Sequence, residues 1–163
     1  MTDVDDKTMI EKAVQFYIDG AKSGRGDDMK PAFHEDATIF GYIGPDLFAG
    51  PIQKLFDWND ENGPAVDIKT EISGLDIAGT IATVRLESDN WTGHKFTDFF
   101  TLLKVDGTRK IMNTVKDTIQ TITVINVTKG QINITTNIII GVSTKIRVRP
   151  LSEIKIFHLR ISR

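Results

Sequence analysis

Asp98 lies in KFTDFFTLLKVDG, residues 95–107, with Phe96, Phe99 and Phe100 close by. An acid among aromatic residues is either a surface charge at a strand end or a group held inside a cavity. In apolar surroundings an unpaired carboxylate is costly, so it tends to keep its proton and its pKa rises. A carboxyl in that state can serve as a general acid or as a neutral hydrogen-bond donor. If the segment alternates as a strand, Phe96, Asp98, Phe100 and Leu102 share one face, and Thr97, Phe99, Thr101, Leu103 and Val105 the other. The competing reading pairs Asp98 with a Lys, an Arg or backbone on a neighbouring strand.

Other residues could complete a site around this acid. His34, near Asp36, could be a base oriented by an acid, although His and Asp at a helix-to-strand junction commonly satisfy free backbone groups. Tyr17 and Tyr42 each offer a phenol. Tyr17 reads first as core packing, and Tyr42, beside Gly41 at a strand end, is placed to reach a cavity mouth. Trp58 and Trp91 offer flat walls for a ring-shaped ligand, with core closure under a helix as the plainer role for Trp58. Asn113 could face either way and complete a pocket's polar set. His94 sits in a turn, and His158 lies in the C-terminal tail.

Several chemistries find no support. The chain has no cysteine, which excludes disulfides, thiolate metal sites and a Cys nucleophile. The three histidines are not spaced as a ligand cluster, no glycine-rich phosphate loop is present, and no Gly-x-Ser-x-Gly elbow occurs. The expectation is a protein without metal or cofactor.

These residues need elements to hold them. Residues 6–23 place Ile10, Val14, Tyr17, Ile18 and Ala21 at helical spacing, ended by Gly24 and Gly26. DDMKPAF predicts a short second helix weakened by Pro31. ATIFGYIG predicts a strand closed by Gly44-Pro45, and PIQKLFDWNDENG a third helix opened by Pro51. The period then changes to two. AVDIKTEISGLDIAG, TIATVRLESDNW, HKFTDFFTLLKV and TRKIMNTV predict four strands, with Asp106-Gly107 as a hairpin turn. Helices followed by a strand meander indicate an α+β domain with helices on one face of an antiparallel sheet.

The chain's 163 residues fit one domain or a domain with an appendage. Its net charge of −2 is uneven: 13 Lys and Arg stand against 20 Asp and Glu through Lys116, and 7 against 2 from Asp117 onward. The tail's basic residues are scattered through Ile-rich sequence, so no nucleic-acid partner is expected. The acidic N-terminus lacks a signal peptide's apolar core, and the longest uncharged run, residues 130–144, is too short and polar to span a bilayer. A cytoplasmic protein with no membrane partner is the expectation. In the tail, TITVINVT and QINIT alternate as strands, as do KIRVRP and EIKIFHLRI. An Ile/Asn/Thr/Lys-rich tail is either a β-rich extension or A+T-rich DNA read in an unselected frame.

The order helix, short helix, strand, helix and four antiparallel strands resembles the nuclear transport factor 2-like superfamily. FHEDATIFG at 33–41, GPIQKLFDW at 50–58 and FTDFFTLLKVDGTRKIMNTV at 96–115 carry the resemblance. The last is similar to the closing hairpin of that superfamily's lumazine-binding subgroup, related to SnoaL-like polyketide cyclases. The resemblance implies a cone-shaped (cystatin-like) fold over residues 1–116, a curved sheet wrapped on helices with a deep pocket, and a homodimer through the convex face. Residues 117–163 are then a β-prone or disordered extension. The subgroup usually has Trp where this chain has Arg109, and it normally ends near this point.

The function this implies is binding of a small, mostly apolar ring-type ligand of unknown identity, with isomerase, cyclase or dehydratase proton transfer as its possible chemistry. Asp98, and less strongly His34, would be the acid/base. Tyr17, Tyr42, Trp58, Phe96, Phe100 and Asn113 would contact the ligand. The alternative is a non-catalytic dimerisation or carrier domain whose pocket is filled by Phe96, Phe100 and Trp58. A tail-mediated interaction module is a third reading.

Overall fold

The computed structural model describes residues 3–118, 120–128 and 131–139. Helix α1 (Asp3–Ser23) buries Ile10, Ala13, Val14, Tyr17, Ile18 and Ala21. This is the face set by the apolar spacing, with Ala13 added. Fully burying a side chain of the Ile or Val kind contributes roughly 1.5–3 kcal/mol, so this stripe fixes which way α1 faces. Helix α2 (Gly26–Met29) and a 3₁₀ turn (Lys30–Ala32) follow, Pro31 ending the regular helix.

Strand β1 (Phe33–Ile43) begins four residues before the predicted Ala37. Gly44-Pro45 is a hairpin turn rather than a stop. It leads into β2 (Asp46–Pro51), a strand that short, proline-flanked DLFAGP does not announce. Pro51 therefore ends β2, and helix α3 (Gln53–Asn62) starts after it. Asn59 of α3 is fully buried and donates from Nδ2 to the Gly20 carbonyl at 2.9 Å. Asp60 Oδ1 accepts the Gly26 amide at 2.6 Å. The two bonds tie α3 to the α1–α2 corner.

The predicted meander is present as β3 (Lys69–Ala78), β4 (Ile81–Trp91), β5 (His94–Val105) and β6 (Thr108–Thr118). The six-stranded sheet runs β2-β1-β6-β5-β4-β3. Its pairings are antiparallel except β1 with β6, which is parallel. Helices pack on the inner face of this curved sheet. Strands β7 (Gln120–Thr128) and β8 (Gln131–Ile139) form a separate antiparallel pair. The strands expected in KIRVRP and EIKIFHLRI, and His158, lie outside the described residues. Among the described residues no helix is long and apolar enough to cross a membrane.

Two contacts hold the sheet's shape. Arg109 is 3% exposed. Its guanidinium donates to the Thr80 and Gly79 carbonyls and lies 3.3 Å from Asp6 of α1. It thus fastens the β3–β4 turn and the start of α1 to the β5–β6 hairpin. Gly41 is opposite Lys116 across β1 and β6. A side chain there would run into the Lys116 backbone carbonyl, so the close approach of these strands requires glycine. Gly41→Ala should therefore lower stability by about 2–4 kcal/mol, read as a lower urea midpoint at unchanged slope. An unchanged midpoint would contradict this packing.

Candidate functional site

Strand β5 alternates as its sequence predicts. Phe96, Asp98, Phe100 and Leu102 are all 0% exposed, while Phe99 is 52% exposed. Asp98 therefore points inward. Its cross-strand partners are Leu86 on β4 and Lys116 on β6.

Lys116 reaches Asp98 because β6 is irregular. The Asp106-Gly107 turn pairs Val105 with Thr108 and carries that register to Leu102 and Ile111. The register then slips by one, so Thr101 faces Asn113 and Asp98 faces Lys116. Met112 is the extra residue, a β-bulge. Without it the turn would set Val115 opposite Asp98 and turn Lys116 outward. With it Val115 is half exposed and Lys116 is 1% exposed.

The lysine's three donors are all used nearby. Nζ lies 3.1 Å from each Asp98 carboxylate oxygen and 3.1 Å from the Tyr17 hydroxyl. The Tyr17 O–H donates to Asp98 Oδ2 at 3.2 Å. Nζ also sits 3.7 Å from the Phe96 ring centroid and 4.1 Å from that of Trp91, close enough for cation–π attraction. The Tyr17 ring stands edge-on to Trp91 at 5.3 Å and to Phe100 at 5.0 Å. The result is an aromatic box around one carboxyl, one phenol and one amine.

Burial acts on all three groups. It raises the Asp98 carboxyl above its usual range, against the opposing pull of the Lys116 charge and the bonds from Lys116 and Tyr17. It lowers Lys116 to about 8, with Asp98 working the other way. Tyr17 is pushed well above the usual phenol value by burial and then by the Asp98 charge, so it remains a donor. Carboxyl and amine are brought toward a shared proton, the condition for acid–base chemistry near neutral pH. Among the described residues, Ser88 Oγ, Trp91 Nε1 and Thr114 Oγ1 are buried with no hydrogen-bond partner. Ser88 is opposite Phe96 and Thr114 opposite Phe100, so both hydroxyls flank the Asp98–Lys116 pair on the inner face.

The other expected residues divide between two faces and two ends. Trp58 is half-buried, with its ring 5.7 Å from Trp91, 6.1 Å from Phe96 and 6.2 Å from His94. His94 is half-buried and stacks on Phe96 at 5.5 Å. Trp91 turns inward after a register break between Ser88 and Trp91, beside Asn90 and Thr92 at positive φ. Tyr42 shares the exposed face with Phe40, Phe99 and Val115. The bulge sends Asn113 to that same face, where Nδ2 donates to Thr38 Oγ1 at 2.8 Å. His34 is half-buried at the start of β1. Its Nδ1 accepts the Asp36 amide at 3.2 Å and lies 3.8 Å from that residue's carboxylate. His34 lines a separate cleft of about 380 Å³ with Lys30, Phe33, Pro51, Gln53 and Phe56. His34, Glu35 and Asp36 can bring ligand atoms within 4.8 Å of one another, but Asp36 is 86% exposed. Sequence reasoning missed Ser88, Thr114 and, above all, Lys116. The signal for Lys116 is a charge within an alternating strand, and the bulge hides which face it takes.

Comparison with known proteins agrees with this architecture. The chain is 47% identical to a nuclear transport factor 2-like protein of unknown function from Methylobacillus flagellatus KT. That match covers 73% of this chain and 96% of the other, at a TM-score of 0.70. A second such protein of unknown function, from Shewanella baltica OS155, is 38% identical over 74% of this chain and 98% of its own, also at 0.70. Among curated proteins, "Aldolase FrzH" of Cladobotryum sp is 29% identical over 100 residues, 61% of this chain and 80% of the relative. The family described as "Putative lumazine-binding" matches residues 5–117. With its helices on a curved sheet and its close structural likeness to these proteins, the chain belongs to that family within the nuclear transport factor 2-like superfamily.

Proposed function

We propose that this chain binds a small ring compound with one polar end inside the cone, and moves a proton on it through Tyr17, Asp98 and Lys116. The observation that carries this reading is the fully buried, mutually hydrogen-bonded triad in an aromatic box. A core needs no such group, since apolar residues of similar volume commonly hold a fold as well or better than a buried ion pair. Asp98 is the acid/base, Lys116 its proton partner, and Tyr17 a fixed donor. Phe96, Phe100, Trp91 and Trp58 supply the flat walls, and Ser88 and Thr114 supply free hydroxyls for the polar end. The family's name and the aldolase relative's name support a ring ligand and carbonyl chemistry in the same direction. Tyr42 and Asn113, on the opposite face, have no part in this reading.

Phe96 and Phe100 are fully buried, and the described clefts leave Asp98 out. This favours a second reading, a non-catalytic domain with a side-chain-filled cone. The two are separable because both of the chain's tryptophans belong to the box. Lumazine added to the protein should quench tryptophan emission saturably. Asp98→Asn and Lys116→Met should each weaken that binding tenfold or more, while Phe99→Ala on the outer face leaves it unchanged. Absence of saturable quenching, in wild type and in Trp58→Ala, would sink the ligand reading in favour of the filled cone.

The proton partner can be tested without a ligand. Lys116 falls from 10.5 to about 8 in the folded protein. Between those values the unfolded chain binds more protons, so this group makes stability rise with pH. Urea unfolding from about pH 7 to about pH 10 should show wild type gaining on Lys116→Met above about pH 8. A pH-independent difference would contradict a depressed, buried lysine.

The outer face supports a homodimer. Phe40, Val115 and Phe99 form one cross-strand row on it, each about half exposed. Arg85 covers the Phe99 ring from 5.7 Å. Sedimentation should give about twice the 18.2 kDa chain mass, falling to the monomer in Phe99→Lys. A monomeric wild type would end this proposal.

A further inference from the structure

Lys116 carries more chemistry than proton storage. Among the described residues its Nζ bonds to no backbone carbonyl. Its hydrogen-bonding neighbours are the Asp98 carboxylate and the Tyr17 hydroxyl, both at 3.1 Å. Those two groups are the ones that a primary amine needs to add to a carbonyl and expel water. The rings of Phe96 and Trp91 confine the amine from the side, and they give an apolar carbonyl compound a surface to lie on. With its pKa lowered by burial to about 8, an appreciable share of the amine is neutral near pH 7.5, and a neutral amine is the nucleophile. An ordinary surface lysine offers less than one part in a hundred under the same conditions.

We propose that Lys116 forms a covalent imine with an aldehyde or ketone bound in the aromatic box, with Asp98 and Tyr17 carrying the protons. This rests on the reading that a ligand enters the box, and it names the ligand's class as carbonyl compounds with a hydrogen on the adjacent carbon. The Nζ lone pair attacks the carbonyl carbon. A C–N bond forms, and the C=O π pair moves to oxygen, which takes a proton from Tyr17. Asp98 takes the proton shed by nitrogen, Tyr17 is restored from Asp98, and the carbinolamine is neutral. Asp98, reprotonated from solvent, gives its proton to that hydroxyl. The nitrogen lone pair forms the C=N bond as the C–O bond breaks, and water leaves an iminium beside the Asp98 carboxylate. Amine, carbonyl and one proton thus become iminium and water, with no oxidant or reductant involved. The iminium draws electrons from the adjacent carbon, so the Asp98 carboxylate can remove a proton there to give an enamine. Hydrolysis reverses each step and frees Lys116.

The test uses phenylacetaldehyde, which carries a ring, a carbonyl and exchangeable adjacent hydrogens. Wild-type protein treated with it and cyanoborohydride at neutral pH should gain one phenethyl group on the peptide holding Lys116. That labelling should be at least tenfold faster than at exposed Lys54. Asp98→Asn and Tyr17→Phe should each slow Lys116 labelling tenfold while leaving Lys54 unchanged. Tyr17→Phe keeps the shape of the box if Asp98→Asn does not fold. Labelling of Lys116 no faster than Lys54 overturns the imine. If phenylacetaldehyde still quenches tryptophan emission saturably, that result leaves the non-covalent proton-transfer reading intact. No labelling at Lys116 together with no quenching overturns both.

Discussion

The interior of this protein is organised by one ion pair. Lys116 and Asp98 face each other across β6 and β5, and Tyr17 bridges both from α1. Stripping water from two charges costs several kcal/mol each, and their attraction repays this only in good geometry with the remaining donors met. Here the three ammonium donors have acceptors and two ring faces cover the rest. Because Tyr17 joins the pair, the orientation of α1 and the register of β5 against β6 are coupled. A helix rotated by one position would withdraw the phenol, and a strand slipped by one residue would withdraw the amine.

Much of this was legible in the sequence, and the misses share a cause. The apolar stripe of α1, the alternation of β5 and the Asp106-Gly107 turn each rest on short-range pattern, and the structure keeps all three. Asp98 could be placed on the inner face from Phe96, Phe100 and Leu102 alone. Both interior roles considered for Asp98, a group facing a ligand and a group paired with a neighbouring lysine, are compatible with what it does here. What could not be read is where a strand loses phase. Nothing in IMNTV marks Met112 as a bulge, and that residue decides that Asn113 faces out and Lys116 faces in. The strand β2 was hidden for a related reason. Its few residues lie between two prolines, and pairing with β1 outweighs their weak local preference.

Arg109 shows the same tertiary override. A buried guanidinium at the base of the closing hairpin would be a liability on burial alone. It is accommodated because two carbonyls of the β3–β4 turn and Asp6 converge on it. The far end of the cone is thus held by polar clamps, while the end that carries Asp98 is walled by rings.

The bulge at Met112 also bears on how such a cone changes over generations. One codon gained between the turn and the bulge, with the bulge kept, would set Val115 in place of Lys116 opposite Asp98 at the inner face. The scaffold would pass from a polar floor to an apolar one in a single genetic event, without any residue having been substituted. A cone of this design can therefore acquire or shed an interior amine abruptly, and sequence identity between two such proteins would scarcely record the difference.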